Sequence, residues 1–172
     1  MTKDEDICSS FGAALEKFGH IDVVVNNAGY GLSGVFEELS EKQIRTQMEV
    51  NFFGLIAVTR KAMDIMREQK PTGGLIQQVT SIGGQTGVPL FSIYCASKWA
   101  VEGFTEAVSQ EVKPEWKIKF QCVEPGGFRC IFLKCSQADM MTNVFIELTG
   151  PVDPWPSQRR AIQPTTTYTP KK

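Results

Sequence analysis

The chain has 172 residues, of which 42% are hydrophobic and 22% are charged, and its net charge is −1 at pH 7. This size and composition are typical of one folded domain, and the near-zero charge argues against a nucleic-acid partner. The polar first residues contain no apolar signal segment, and glutamines, glycines and prolines interrupt the longest uncharged run, residues 71–97, which argues against a membrane span. Five cysteines without a CxxC pair argue against a disulfide framework or a metal site, and they favour reduced thiols in a cytoplasmic protein.

The first predicted elements are a helix and a strand. Thr2 and Glu5 have the spacing of a capping box at a helix start. The apolar residues that follow at helical spacing on one face are Ile7, Phe11, Leu15 and Phe18. The run IDVVVNNAG at 21–29 is short, apolar and closed by Asn and Gly, which predicts a strand buried on both faces of a parallel sheet.

A second helix and strand are predicted next. Ser40 and Gln43 form another capping box, so we expect a long helix over 40–68 that stops before Pro71. The segment LIQQVTS at 75–81 is typical of a strand.

The third helix and strand follow a loop rich in Gly and Pro. The segment 92–113 predicts a helix that Pro114 closes, and KIKFQCVEPG at 117–126 predicts a strand with alternating apolar residues. The order α-β-α-β-α-β indicates an α/β fold, a parallel sheet with helices on both faces and right-handed crossovers.

The ends of the three predicted strands carry unusual residues. Ligands in parallel α/β sheets bind beyond the carboxyl ends of the strands. NNAG at 26–29, Ser81 and the Pro125-Gly126 turn all fall at such ends. We therefore expect them to share one site.

Three side chains between residues 81 and 98 could carry acid–base chemistry. Tyr94 and Lys98 are four residues apart on the predicted helix, so they lie on one face. A neighbouring ammonium favours the phenolate and lowers the pKa of a tyrosine, which fits it to transfer a proton near neutral pH. Ser81 can hold a substrate oxygen while its charge changes. The set suits the interconversion of an alcohol and a carbonyl, and because no side chain gives a hydride, it implies a nicotinamide cofactor.

Five motifs occur together in this sequence. They are NNAG at 26–29, Asn51 within VNFFG, Ser81, YxxxK at 94–98 and PGG at 125–127. In order and spacing the chain resembles the short-chain dehydrogenase/reductase family from about Phe18 to Arg129. The resemblance implies a Rossmann-like sheet and an NAD(P)-dependent oxidoreductase that acts on a small or medium alcohol or carbonyl compound.

The resemblance also implies a role for each matched residue. Tyr94 would be the acid/base, Lys98 would lower its pKa and hold the nicotinamide ribose, and Ser81 would orient the substrate oxygen. Asn51 would kink the long helix and anchor a proton-relay water. The residues expected to contact NADP or NAD are Asn26, Ala28, Gly29, Tyr94, Lys98, Gly126 and Phe128. Similar proteins use the helices equivalent to 40–68 and 92–113 to self-associate, so a homo-oligomer is implied.

Both ends of the chain depart from the family pattern. Such proteins open with a strand, a TGxxxGxG turn and a helix, and no such turn occurs here. We expect the amino-terminal half of the dinucleotide fold to be missing. Cys130 stands where the family usually has Thr, so we expect a partial domain over 1–130 and a divergent, partly disordered segment over 131–172.

Three interpretations of function remain open. The first is the oxidoreductase, and the second is a catalytically silent fragment that acts at most as a dimerisation or interaction module. The third is nucleotide binding by GYGLSG at 29–34, a literal GxGxxG after a strand. It is disfavoured because VFEEL separates the glycines from the next predicted helix.

Overall fold

The computed structural model of the chain describes residues 3–125. Its helices and strands are α1 (Asp4–Phe18), β1 (Val23–Asn26), α2 (Glu41–Met48), α3 (Gly54–Glu68), β2 (Gly74–Val79), α4 (Ser92–Glu111) and β3 (Ile118–Val123). Gly126, Phe128 and the predicted tail lie outside the described residues, so the predicted boundary near residue 130 stays a prediction.

The three strands form one parallel sheet in the order β1-β2-β3. Val24 lies opposite Ile76, and Ile76 lies opposite Phe120. The predicted α/β architecture, a parallel sheet of sequential neighbours with flanking helices, is confirmed.

The helices of the described residues lie on one face of this sheet. Both crossovers run in the same direction along the sheet, so right-handed connections place α2, α3 and α4 on the same side. One buried cluster joins α1, α3 and all three strands through Ile7, Phe11, Ala14, Ile21, Val24, Val58, Ala62, Met66, Ile76 and Ile118. The alternate residues of β1, Val23 and Val25, are only half-buried. The prediction of helices on both faces, with β1 buried on both, is therefore wrong for residues 3–125.

The first helix differs in detail from its sequence pattern. Residue Lys3 precedes it without a capping side-chain hydrogen bond, and Thr2 of the predicted capping box lies outside the described residues. Gly19 ends α1 with φ 73°, a left-handed conformation that suits glycine, and its N–H donates to Leu15 O. On the face predicted for this helix, Ile7 and Phe11 are buried and Phe18 is 51% exposed.

The long predicted helix over 40–68 is interrupted. Its start is confirmed, because the Ser40 hydroxyl accepts from the Gln43 N–H while the Gln43 side chain accepts from the Ser40 N–H. Between α2 and α3, residues Glu49–Phe53 form a π-helical turn that contains Asn51. Such wide turns are rare and often occur at functional sites.

Candidate active site

The carboxyl ends of the strands bring the predicted site residues to one edge of the sheet. β1 ends at Asn26, and Ser81 follows the end of β2 by two residues. Tyr94 and Lys98 lie on α4, which contacts the turn Ile82–Gly84 that follows Ser81.

Ser81 and Tyr94 meet through a glycine. The Ser81 hydroxyl accepts a hydrogen bond from the Gly83 N–H at 3.2 Å, which starts the turn. A Cβ on Gly83 would lie 3.2 Å from Tyr94 Cε1, tighter than an ordinary contact. The absence of a side chain at Gly83 therefore lets the turn that carries Ser81 rest directly on the phenol ring.

Lys98 is buried beside Tyr94, with 5% of its surface exposed. Its Nζ donates to Val79 O at 2.8 Å and lies 5.9 Å from the centre of the Tyr94 ring. Burial lowers the pKa of Lys98 to about 8, and the negative charge of Glu102 opposes that effect. The amine is therefore still mainly an ammonium at neutral pH. Within residues 3–125, one of its three N–H groups is engaged, which leaves two donors for a ligand.

Asn51 connects the loop after β1 to α4. Its Oδ1 accepts from the Tyr30 N–H at 3.1 Å, and its Nδ2 donates to Tyr30 O at 2.9 Å and to Ser97 Oγ at 3.2 Å. Ser97 in turn donates to Tyr94 O at 2.7 Å. The wide turn of the long helix thus holds the loop and the backbone of Tyr94 in a fixed relation.

Gly29 lies where these elements approach most closely. A Cβ there would lie 3.1 Å from Asn51 Oδ1 and 3.7 Å from Lys98 Nζ. The adjacent Ala28 is buried. The structure therefore brings Gly29, Asn51 and Lys98 together, as the motifs predicted.

The Asn26 side chain takes part in a buried hydrogen-bond network. Its Nδ2 donates to Thr59 Oγ1 at 3.0 Å and to Gln78 Oε1 at 2.8 Å, within a buried polar group. Its Oδ1 is buried and has no hydrogen-bond partner among the described residues. The Nδ2 group of Asn26 is therefore used within the protein interior. A contact between Asn26 and a cofactor stays a prediction.

Half of the backbone donors of GYGLSG are engaged within the protein. The Tyr30 N–H donates to Asn51, the Leu32 N–H to Gln47 Oε1 at 2.7 Å, and the Gly34 N–H to Leu90 O at 2.9 Å. These three N–H groups are not available to a phosphate. The structure therefore adds to the reasons that disfavour nucleotide binding by GYGLSG.

Two residues that hold the site, Gln47 and Ser97, were not predicted. Gln47 is fully buried, and its Nε2 also donates to Tyr30 O at 2.8 Å. It stands four residues before Asn51, so an amide pair at helical spacing was the available signal. Ser97 lies next to Lys98 inside YxxxK, where its burial could not be told from the motif.

Residues 3–125 contain no cluster of three His, Cys, Asp or Glu side chains that could hold a metal ion. No helix in the same range is long and apolar enough to cross a membrane.

Comparison with known proteins gives consistent results. The family model described as short chain dehydrogenase matches residues 1–140. The oxidoreductase calM of Penicillium decumbens is 43% identical over 136 residues, which are 77% of this chain and 45% of that protein. A 3-ketodihydrosphingosine reductase of Bacteroides thetaiotaomicron is 42% identical over 114 residues, 66% of this chain and 41% of that protein. The chain thus spans less than half the length of both relatives.

A solved structure shows the same fold with a ligand. The alcohol dehydrogenase of the archaeon Thermococcus sibiricus, complexed with 5-hydroxy-NADP, matches with a TM-score of 0.68 and 31% identity. The match covers 76% of this chain and 53% of that one. Together with the motif residues around Tyr94, these similarities establish that the chain belongs to the short-chain dehydrogenase family.

Proposed function

We propose that this chain carries the catalytic residues of an NAD(P)-dependent oxidoreductase that interconverts an alcohol and a carbonyl on a small or medium organic substrate. The observation that carries the proposal is the meeting of Ser81, Tyr94 and Lys98 at the carboxyl end of β2. In this proposal Tyr94 transfers the proton to or from the substrate oxygen, and Ser81 orients that oxygen.

Lys98 has two tasks in the proposed site. Its ammonium lies close enough to the Tyr94 ring to stabilise a phenolate. Its two unengaged N–H groups suit the paired hydroxyls of a ribose, so the donor set fits the nicotinamide end of NADP or NAD. When bound, the cofactor supplies or accepts the hydride, for which proteins have no side chain.

Asn51 holds in place the loop and the helix that carry the site residues. Both N–H groups of its side-chain amide donate, to Tyr30 O and to Ser97 Oγ, and its Oδ1 accepts from the Tyr30 N–H, so it fixes the loop and α4. Whether its amide also anchors a relay water, as the resemblance implies, belongs to the proposal. Gly126 and Phe128 stay proposed cofactor contacts outside the described residues.

The pyrophosphate of the cofactor finds no comparable donors in residues 3–125. Phosphates bind at glycine-rich turns that open a helix, whereas GYGLSG opens no helix and three of its backbone amides are engaged. We therefore expect this chain alone to bind NADPH weakly. Titration of the full chain into NADPH, followed by nicotinamide fluorescence, tests this, and saturation at low micromolar concentration would contradict it.

Self-association through α3 and α4 is a further part of the proposal. Phe53, just before α3, and Trp99 on α4 are 53% and 51% exposed, and a neighbouring pair, Phe52 and Phe104, packs edge to face at 6.1 Å. Exposed aromatic side chains on neighbouring elements favour a protein interface. We therefore propose a homo-oligomer. We also propose the cytoplasm as its location.

The alternative is a catalytically silent interaction module with the same aromatic surface. The two functions differ in what the phenol of Tyr94 does. A chimera distinguishes them: residues 20–129 replace the corresponding stretch of the Bacteroides 3-ketodihydrosphingosine reductase, and turnover is measured with that protein's ketone and NAD(P)H.

The proposal predicts an active chimera in which Tyr94→Phe lowers turnover by ~10²–10⁴-fold, because general acid–base catalysis contributes that much. Ser81→Ala should cost less, since a water replaces its hydrogen bond in part. Ser109→Ala is the matched control, because its hydroxyl only donates to Glu106 O at an exposed position of α4.

Two results would count against the enzyme. One is a folded chimera that binds NADPH and turns nothing over. The other is near-normal turnover of the Tyr94→Phe variant between pH 6 and pH 9, which would leave the silent module as the better interpretation.

A further inference from the structure

A carboxyl group lies behind the candidate site, beside the thiol of Cys122, and one of its oxygens has no hydrogen-bond partner among the described residues. Glu102 follows Lys98 by one turn of α4, and its Oε1 is fully buried. Among residues 3–125 this oxygen has no hydrogen-bond partner. A buried polar atom without a partner is costly, so its presence calls for a physical explanation.

The turn after Ser81 encloses this carboxyl. A Cβ on Gly84 would lie 3.2 Å from Glu102 Cγ, 3.4 Å from Glu102 Oε1 and 3.2 Å from Lys98 O. The turn therefore packs closely over the stretch of helix that carries both charged residues.

Lys98 needs a counter-charge in this place. It is almost fully buried, and its Nζ contacts a neutral carbonyl and the face of a ring. Among the described residues, the acid that acts on it is Glu102, which opposes the effect of burial on the Lys98 pKa. An ammonium removed from water without an opposite charge loses its proton readily.

We propose that Glu102 is a positioning residue of the active site, whose buried carboxylate keeps Lys98 charged beneath Tyr94. This inference rests on the proposed function of Lys98. Glu102 touches neither substrate nor cofactor, and it acts through the lysine one helical turn away.

Other titratable groups near this pair do not supply the same charge. Cys122 of β3 lies against Glu102, and burial first, then Glu102, raises the pKa of its thiol to about 12, so the thiol stays neutral at working pH. Glu124, beyond the end of β3, acts on Cys122. On the helix itself, the Tyr94 ring lies 5.9 Å from Lys98 Nζ, and the buried Cys95 stands three residues before Lys98.

The test is a direct titration of Lys98 in the full chain. The protein is labelled with ¹³C at lysine Cε, and the signal of Lys98 is identified by its loss in the Lys98→Met variant. We expect this signal to titrate near pH 8 in the native chain. In Glu102→Gln the midpoint should fall by about one pH unit, because an opposite charge at this range shifts a pKa by about 1–3 units.

A matched control and a conservative variant accompany the test. Glu106→Gln removes the same charge from an exposed position of α4 and should leave the midpoint unchanged. Glu102→Asp keeps the charge and should restore most of the native value. If Glu102→Gln does not fold, as judged by circular dichroism, Glu102→Ala replaces it.

An unchanged midpoint in a folded Glu102→Gln or Glu102→Ala variant would overturn the proposal, because a carboxyl with only a packing role would not affect the titration. The measurement requires neither cofactor nor turnover. An inactive chimera and an unshifted Lys98 are therefore separate results, and each refutes a different proposal.

Discussion

The buried ammonium of Lys98 should leave a measurable mark on the stability of the chain. Burial lowers its pKa from 10.5 to about 8, and one pKa unit corresponds to about 1.36 kcal/mol. The charged form of Lys98 therefore costs the folded state about 3 kcal/mol relative to the neutral form. Below pH 8 both the folded and the unfolded chain hold this proton, and the cost is present in full.

Between about pH 8 and pH 10.5 the folded chain releases the proton while the unfolded chain keeps it. The unfolded state then binds more protons, so the contribution of Lys98 to the unfolding free energy rises with pH. Lys98→Met has a similar shape and no proton to release. The stability of this variant minus that of the native chain should therefore fall by about 3 kcal/mol between pH 7 and pH 10.5.

Urea denaturation of both proteins across this pH range, under reducing conditions, gives the two unfolding free energies. Terms that do not depend on pH, such as the lost hydrogen bond to Val79 O, cancel when the difference is followed with pH. Two stability curves that stay parallel from pH 7 to pH 10.5 would refute the reasoning, because Lys98 would then have the same pKa in both states.

Two further predictions concern the contacts around the site. Asn51→Ala should destabilise the chain by about 2–4 kcal/mol, since it leaves the Tyr30 backbone and Ser97 without their buried partner, and thermal unfolding followed by circular dichroism measures this. A variant as stable as the native chain would show that these hydrogen bonds carry no net energy. Gly29→Ala should destabilise by about 1–3 kcal/mol because its Cβ would press on Asn51. Gly12→Ala, on open helix surface, should stabilise by about 0.5–1 kcal/mol in the same assay, and equal effects of the two alanines would contradict the close approach.

Local patterns in the sequence predicted the helices and strands well. The Ser40 capping box and the stop before Pro71 rest on side chains within a few residues of each other, so no tertiary information was needed. Helical spacing placed Phe18 on one face with Phe11, but it does not show where the helix ends. Gly19 ends α1 directly after Phe18, and the Phe18 side chain is 51% exposed.

Features that depend on chain crossings could not be read from local patterns. Among residues 3–125 the helices share one face of the sheet because the two crossovers run in the same direction, which strand composition alone does not reveal. In the site, the motifs indicated Tyr94 and Lys98 as a pair. The buried environments of Gln47, Ser97 and Glu102 arise from tertiary packing, so their sequence positions carried little signal.

The π-helical turn at Glu49–Phe53 limits how many residues can join α2 to α3. Its extra residue is absorbed by the hydrogen bond from Gly54 N–H to Glu49 O, five residues apart rather than four. Removal of one residue from the turn would restore a regular helix and leave α2 and α3 facing nearly the same way, because the wide turn already absorbs that residue. The bulge that holds Asn51 against Tyr30 and Ser97 would be lost. We infer that this segment accepts substitutions more readily than insertions or deletions, so aligned relatives with this loop geometry should show no gap between positions 47 and 55.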